Sequence, residues 1–193
     1  MRRTATTLLV VLTALLALGA TTASAGVSPT GSKTGLSTTA VTVAGTSCGS
    51  GQLTATMASP PGPPATISTD LNVILATPGF SCTRTGIRVT FACSGMGVVT
   101  VTGSTVAGVT PLTISSIACQ LNATATCFAT LTGSVNGSYD NATNQLTIAT
   151  TGQTLALSRT TCSAIFPNGS TTLTATGGAA AVYTISPTTT IVY

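Results

Sequence analysis

The stretch Ile87-Arg88-Val89-Thr90-Phe91 decides the fold class, because its apolar side chains alternate with polar ones. Side chains two positions apart in a strand lie on the same face of a sheet, so this period predicts a half-buried β-strand. The segment Ser94-Gly95-Met96-Gly97 is typical of a turn, and Val99 and Val101 begin a second strand beyond it. This part of the chain is therefore predicted to be β-structure on both sides of a turn.

The same alternation recurs along the rest of the chain. We predict further strands at residues 41–43, 53–57, 67–76, 112–117, 127–131, 146–148, 155–157, 173–175 and 182–185. Turn signals separate many of these segments, namely Pro78-Gly79, Asn136-Gly137, Asp140-Asn141, Asn168-Gly169 and Gly177-Gly178. Short strands with a turn signal about every 8–12 residues indicate a sandwich or a barrel. We predict a single all-β domain, a disulfide-stabilised antiparallel β-sandwich of about ten strands, with a closed β-barrel as the alternative.

The composition supports an all-β protein that folds around an apolar core. Thr, Val and Ile are frequent, and β-branched residues suit a pleated, half-buried surface. Hydrophobic residues make up 43% of the chain and charged residues only 4%, so low charge does not indicate disorder here. Since the few Lys and Arg residues form no cluster, we expect no nucleic-acid partner.

Residues 1–25 have the features of a secretory signal peptide. Arg2 and Arg3 precede an apolar run that is too short to cross a bilayer as a helix, and Ala23 and Ala25 are the small residues that a signal peptidase accepts. We predict cleavage after Ala25 and a secreted, extracellular protein, free or associated with the cell envelope, with no transmembrane segment in the mature chain. Residues 26–36 are predicted to be a flexible leader, and residues 37–193 a single domain.

The six cysteines all lie beyond residue 25, and an even number in an exported chain predicts disulfides. They are Cys48, Cys82, Cys93, Cys119, Cys127 and Cys162. Six cysteines allow 15 pairings, so the sequence leaves the connectivity open. Short loops favour the pairs Cys82–Cys93 and Cys119–Cys127, which leaves Cys48 to pair with Cys162.

The inventory of side chains argues against an enzyme. The chain has no His and no Glu, so it lacks an imidazole base, and a pair of catalytic carboxylates would have to be Asp70 and Asp140. We predict that Asp140 shapes a turn and that Asp70 pairs with Arg84 or Arg88. Without His or close cysteine pairs we expect no metal site, and we predict no catalytic residue and no cofactor.

Arg84 and Arg88 are the candidate binding residues of the sequence. Taken as four apart on one strand, they are predicted to share a face beside Cys82 and Cys93, where an anionic ligand could bind. The alternative interpretation is the solvated face of a hairpin.

Residues 115–193 resemble a group of small secreted proteins that are common in actinobacteria. The similar segments are Gly133-Ser-Val-Asn-Gly-Ser-Tyr-Asp-Asn-Ala-Thr-Asn-Gln-Leu146, Cys162 followed by Asn168-Gly169, and Val182-Tyr-Thr-Ile-Ser-Pro-Thr-Thr-Thr-Ile191. Many chains of the group have fewer cysteines, so the resemblance does not account for Cys82 and Cys93. The resemblance implies an exported, β-rich protein of a Gram-positive host, and it implies no functional site.

Taken together, these features predict a secreted or envelope-associated structural or interaction protein whose partner is left open, a component of the cell wall or cell surface being one candidate. The alternative is an extracellular carrier of a small apolar ligand, because the chain has few charges and an apolar run at residues 71–75. The Thr-x-Thr repeats could serve a crystal-surface binder, but their spacing is irregular.

Overall fold

A computed structural model describes residues 25–74, 82–93 and 97–193, and all regular structure in these ranges is β-strand. The all-β prediction is confirmed. No helix that could span a membrane occurs among these residues. The signal peptide predicted for residues 1–25 lies outside the described residues except for Ala25. The predicted turns at Pro78-Gly79 and at residues 94–96 lie outside them as well.

Seventeen strands are present in the described residues. They are β1 (Gly26–Ser28), β2 (Gly31–Ser37), β3 (Val41–Val43), β4 (Thr46–Cys48), β5 (Gln52–Met57), β6 (Ala65–Ile74), β7 (Cys82–Arg84), β8 (Ile87–Cys93), β9 (Gly97–Val101), β10 (Val109–Thr124), β11 (Cys127–Asp140), β12 (Gln145–Ile148), β13 (Ala156–Ser158), β14 (Gly169–Ser170), β15 (Leu173–Ala175), β16 (Ala181–Ser186) and β17 (Thr190–Val192).

Eight of the strands form a closed antiparallel barrel. Its order is β10-β11-β12-β16-β2-β5-β6-β9, and β9 pairs with β10 to complete the ring. The closed barrel, which was the alternative at the sequence level, is therefore the observed arrangement, in place of the favoured sandwich. Alternation within a strand reports which face is buried, but it carries no information on which strands meet at the two edges of a sheet.

The long hairpin of β10 and β11 extends beyond the barrel. The second half of β10 pairs with β8, and the first half of β11 pairs with β13. The sheet then continues from β8 through β7, β4 and β3 to β15, and from β13 to β14. We call this part of the sheet the extension. Leu121, Ala129 and Phe166 are fully buried there, and they belong to the same apolar cluster as the barrel core.

The segment predicted to be a flexible leader is ordered structure, and that prediction is wrong. Strand β1 pairs with β17, and β2 lies inside the barrel between β16 and β5. Lys33 and Gly35 point inward and are buried, whereas Ser32 is exposed, which is the period of a barrel strand. Gly35 allows a close approach, since a Cβ there would lie 2.8 Å from Ile185 Cδ1.

Of the predicted turns in the described residues, one is wrong, two are confirmed, and Asn168-Gly169 lies at a bend from which β14 begins. Asn136-Gly137 lies inside β11, where a Cβ at Gly137 would be 2.6 Å from the carbonyl oxygen of Thr147. The glycine is therefore required by the close approach of β12 and does not mark a turn. Asp140-Asn141 and Gly177-Gly178 do lie at turns, as predicted.

All six cysteines form disulfides, but each of the three predicted pairs is wrong. The bonds are Cys48–Cys82, Cys93–Cys119 and Cys127–Cys162. In the first two bonds the partners face each other directly across neighbouring strands, β4 with β7 and β8 with β10. Strand pairing, not a short loop, brings these residues together. Since disulfides persist in oxidising compartments, the three bonds indicate an extracellular environment.

Candidate functional site

The structure does not bring Arg84 and Arg88 onto one face, so the shared face predicted for them is wrong. A two-residue turn at Thr85 and Gly86, both with positive φ, separates β7 from β8. Arg84 is therefore opposite Ile87, while Arg88 is opposite Thr83. Residues directly opposite each other in an antiparallel pair share a face, so the two arginines point to opposite sides of the hairpin.

Arg84 lies half-buried on the inner side of the extension. Its Nη1 donates a hydrogen bond to the carbonyl oxygen of Ala44, and its guanidinium lies over the ring of Phe166, 5.8 Å from the centroid. This distance is within the range of a cation–π interaction. Phe166 is fully buried, so the ring that the guanidinium contacts is held in place by the core.

The turn between β3 and β4 is shaped to receive Arg84. Ala44 and Gly45 both have positive φ, of 54° and 69°, as a two-residue hairpin turn requires. A Cβ at Gly45 would lie 2.6 Å from Nη1 of Arg84. Glycine at this position therefore satisfies the backbone conformation and also leaves room for the guanidinium.

Arg84 lines a pocket of about 200 Å³ at the open side of the extension. The other residues that line it are Ala44, Gly45, Leu157, Pro167, Gly169, Ser170 and Thr171. Strand β14 pairs only with β13 in the described sheet, so β14 is an edge strand. We call this the Arg84 pocket.

Arg88 is exposed on the opposite side of the same hairpin. It borders a shallow depression of about 330 Å³ together with Thr90, Asn122 and Thr124. The hydroxyl of Thr90 bonds the carbonyl oxygen of Asn122 at 3.4 Å. Arg88 thus corresponds to the solvated hairpin face that was the alternative interpretation.

The two aspartates accept hydrogen bonds from nearby residues, and neither pairs with an arginine of the described ranges. Asp70 Oδ1 accepts hydrogen bonds from Thr56 N at 2.7 Å and from Ser68 Oγ at 2.8 Å, so its predicted pairing with Arg84 or Arg88 is wrong. Asp140 accepts a bond from Ala142 N at 2.8 Å, which confirms its predicted role in a turn. Hydrogen bonds from Thr56 lower the pKa of Asp70, and the bond from Ala142 N lowers that of Asp140. Both carboxylates therefore accept hydrogen bonds from backbone N–H groups close to them in the fold.

Lys33, which the sequence places in the predicted leader, lies inside the barrel. It is 3% exposed and lines a cavity of about 30 Å³ together with Tyr139 and Thr189. The Tyr139 hydroxyl donates to the carbonyl oxygen of Thr189 at 2.8 Å. The alternation around Lys33 could have indicated an inward side chain, but a lysine at an inward position is unusual.

Tyr183 faces a second internal cavity of about 30 Å³, which is otherwise lined by apolar residues such as Leu131, Ile148 and Leu155. Its hydroxyl is buried and has no hydrogen-bond partner in the described residues. Burial therefore raises the pKa of Tyr183 well above its ordinary value. Each cavity has room for little more than a water molecule, whereas ligand sites usually occupy about 300–1,000 Å³.

The described residues contain no group of three or more His, Cys, Asp or Glu side chains that could hold a metal ion. Comparison of the chain with protein-family models, with curated proteins and with solved structures finds no match. The geometry of the chain is therefore the basis for an assignment of function.

Proposed function

We propose that this protein is a secreted or envelope-associated structural or interaction protein that works without catalysis. The observation that carries the proposal is the set of three disulfides, all of which lie in the extension. Two of these bonds join neighbouring strands, and disulfides stabilise proteins that work outside the reducing cytoplasm.

Interaction has more support than catalysis or transport. Asp70 and Asp140, the only carboxylate side chains of the chain, are each engaged by neighbouring backbone N–H groups. The described barrel encloses cavities of about 30 Å³, so the alternative of an apolar-ligand carrier has less support. The outer surface is left as the place where a partner binds.

The test is expression of the full chain, with a C-terminal tag, in a Gram-positive bacterium, a host chosen for the resemblance to actinobacterial secreted proteins. We expect the protein in the medium or the cell-wall fraction with Gly26 at its N-terminus, and crosslinking should join it to a wall or surface component. The matched control is Ala25→Phe, which should block cleavage because signal peptidase needs a small residue at this position.

Two results would contradict the proposal. One is a protein that stays in the cytoplasm with residues 1–25 attached. The other is a protein found wholly free in the medium, with no crosslinked partner in any fraction.

A further inference from the structure

We propose that the Arg84 pocket binds a single carboxylate group of the partner. This inference rests on the proposed function, because it names the chemistry through which the extension recognises its partner.

Arg84 forms no ion pair with an acidic side chain in the part of the chain that the structure describes. The chain has only two acidic side chains, and both bind backbone N–H groups elsewhere in the fold. In the described part of the chain, the guanidinium donates to a single acceptor, the carbonyl oxygen of Ala44. A guanidinium carries five N–H donors, so most of its hydrogen-bonding capacity remains for a ligand.

The guanidinium is also held in place before a ligand arrives. Ala44 accepts its Nη1 proton, and the fully buried ring of Phe166 supports its face. A fixed planar fork binds a carboxylate through two parallel N–H···O bonds and loses little entropy on binding. An exposed arginine such as Arg88 lacks this preorganisation.

The size of the pocket limits what it can hold. Its volume of about 200 Å³ is below the range of sites that enclose a whole small molecule, which begins at about 300 Å³. The pocket therefore fits one terminal group of a larger partner. Ser170 and Thr171, which also line the pocket, carry hydroxyl groups that can bond a neighbouring polar atom.

The charge of the pocket favours a carboxylate over a phosphate. Arg84 is the only cation among the residues that line it, since Lys33, Arg88 and Arg159 all lie elsewhere. One guanidinium balances the single charge of a carboxylate, whereas a phosphate group carries nearly two charges at neutral pH. The geometry thus points to a carboxylate next to a hydrogen-bonding group.

The test is an NMR titration of the purified, disulfide-bonded protein with N-acetylglycine. This probe has one carboxylate beside an amide, and its neutral counterpart is N-acetylglycinamide. We expect saturable shifts of the Arg84 Nε–H signal and of the Ser170 and Thr171 amide signals with the acid, and none with the amide. Inorganic phosphate forms a third arm of the titration.

Variants of the two arginines distinguish binding at the Arg84 pocket from a general attraction of the probe to positive charge. Arg84→Gln should weaken N-acetylglycine binding by at least about tenfold, because a charge-assisted hydrogen bond is lost. Arg84→Lys should weaken it less, since it keeps the charge but loses the fork. Arg88→Gln is the matched control, because it removes the same charge from the other side of the hairpin and should leave binding unchanged.

The proposal is overturned if the acid and the amide give equal shifts, if Arg88→Gln weakens binding as much as Arg84→Gln, or if phosphate saturates the site at lower concentration than the acid. If Arg84→Gln fails to fold, the comparison of acid with amide on the unmodified protein still decides. Because the titration uses purified protein, it can fail while cell-wall fractionation succeeds, and the reverse also holds.

Discussion

The side-chain amide of Gln153 pairs with the backbone of Leu173 as a neighbouring strand would. Leu173 N donates to Gln153 Oε1 at 2.7 Å, and Gln153 Nε2 donates to the carbonyl oxygen of Leu173 at 2.8 Å. Asn141 repeats this arrangement at β17, where its amide bonds both the N–H and the carbonyl of Ile191, at 2.7 and 2.8 Å. Two side-chain amides thus take the place of a neighbouring strand for buried backbone groups, although the Ile191 carbonyl also accepts a bond from Thr110 Oγ1 at 2.8 Å.

Replacement of Gln153 by Ala tests this arrangement. Gln153 Nε2 also bonds the carbonyl oxygen of Ala149 at 2.6 Å, so the change leaves several backbone groups without partners. We expect the free energy of unfolding to fall by about 1–3 kcal/mol, measured by urea denaturation. Gln120→Ala is the control, because Gln120 is exposed on β10. Equal losses in the two variants would show that the Gln153 bonds contribute nothing specific.

Loss of the hydroxyl should affect the stability of the protein differently at the two buried tyrosines, Tyr183 and Tyr139. Tyr183→Phe removes a buried hydroxyl that has no partner in the described residues, so stability should stay level or rise by about 1 kcal/mol. Tyr139→Phe deprives Thr189 of its hydrogen bond and should cost about 1–2 kcal/mol. Urea midpoints of the two variants check this prediction. A loss in Tyr183→Phe as large as that in Tyr139→Phe would contradict it.

Gly133 should tolerate alanine far less well than Gly31 does. Both have positive φ, of 140° and 105°, so the backbone strain of the two changes is similar. A Cβ at Gly133 would lie 2.8 Å from Leu155 Cα, whereas a Cβ at Gly31 meets nothing within 4 Å. We expect Gly133→Ala to cost about 1–3 kcal/mol more than Gly31→Ala in thermal or urea unfolding. Similar losses would mean that the backbone at Thr154 and Leu155, just before β13, moves aside freely.

The stability of the protein should be nearly constant from about pH 5 to pH 9, because no His or Glu is present to titrate there. Hydrogen bonds lower the pKa of Asp70 and Asp140 in the folded state, so their contribution is present above pH about 4 and is lost as pH falls below it. Burial raises the pKa of Tyr139, Tyr183 and Tyr193 above 10.0, so their contribution is lost as pH rises beyond that value. Urea unfolding at a series of pH values measures both limits. A marked change in the free energy of unfolding near neutral pH would contradict this prediction.

Trypsin digestion of the denatured, non-reduced protein distinguishes the observed disulfides from the short-loop pairing. Cleavage after Lys33, Arg84, Arg88 and Arg159 produces the peptides 34–84, 89–159 and 160–193. The observed bonds leave peptide 34–84 separate and join 89–159 to 160–193 through Cys127 and Cys162. Mass spectrometry should find these two species, whereas the short-loop pairing would join all three peptides.

The sequence was informative where the physical signal is local. Alternation at Ile87–Phe91 predicted a strand, which the structure contains within β8 (Ile87–Cys93), and Asp140-Asn141 predicted a turn, in which Asp140 accepts a hydrogen bond from Ala142 N. Both features depend on residues within a few positions of each other. The same reasoning failed at Arg84 and Arg88, because the two-residue turn between them reverses the face on which the second one lies.

The sequence by itself determined that this chain is all-β and that its cysteines form disulfides, since both follow from residue type and short-range spacing. Only the tertiary structure decided that the sheet closes into a barrel, that Cys48 meets Cys82, and that Lys33 lies inside. Each of these facts depends on which distant strands pair. Strand pairing is decided by the combined packing of the whole sheet. The two-residue alternation of side chains is the same in every strand, so it does not indicate which strand is the partner.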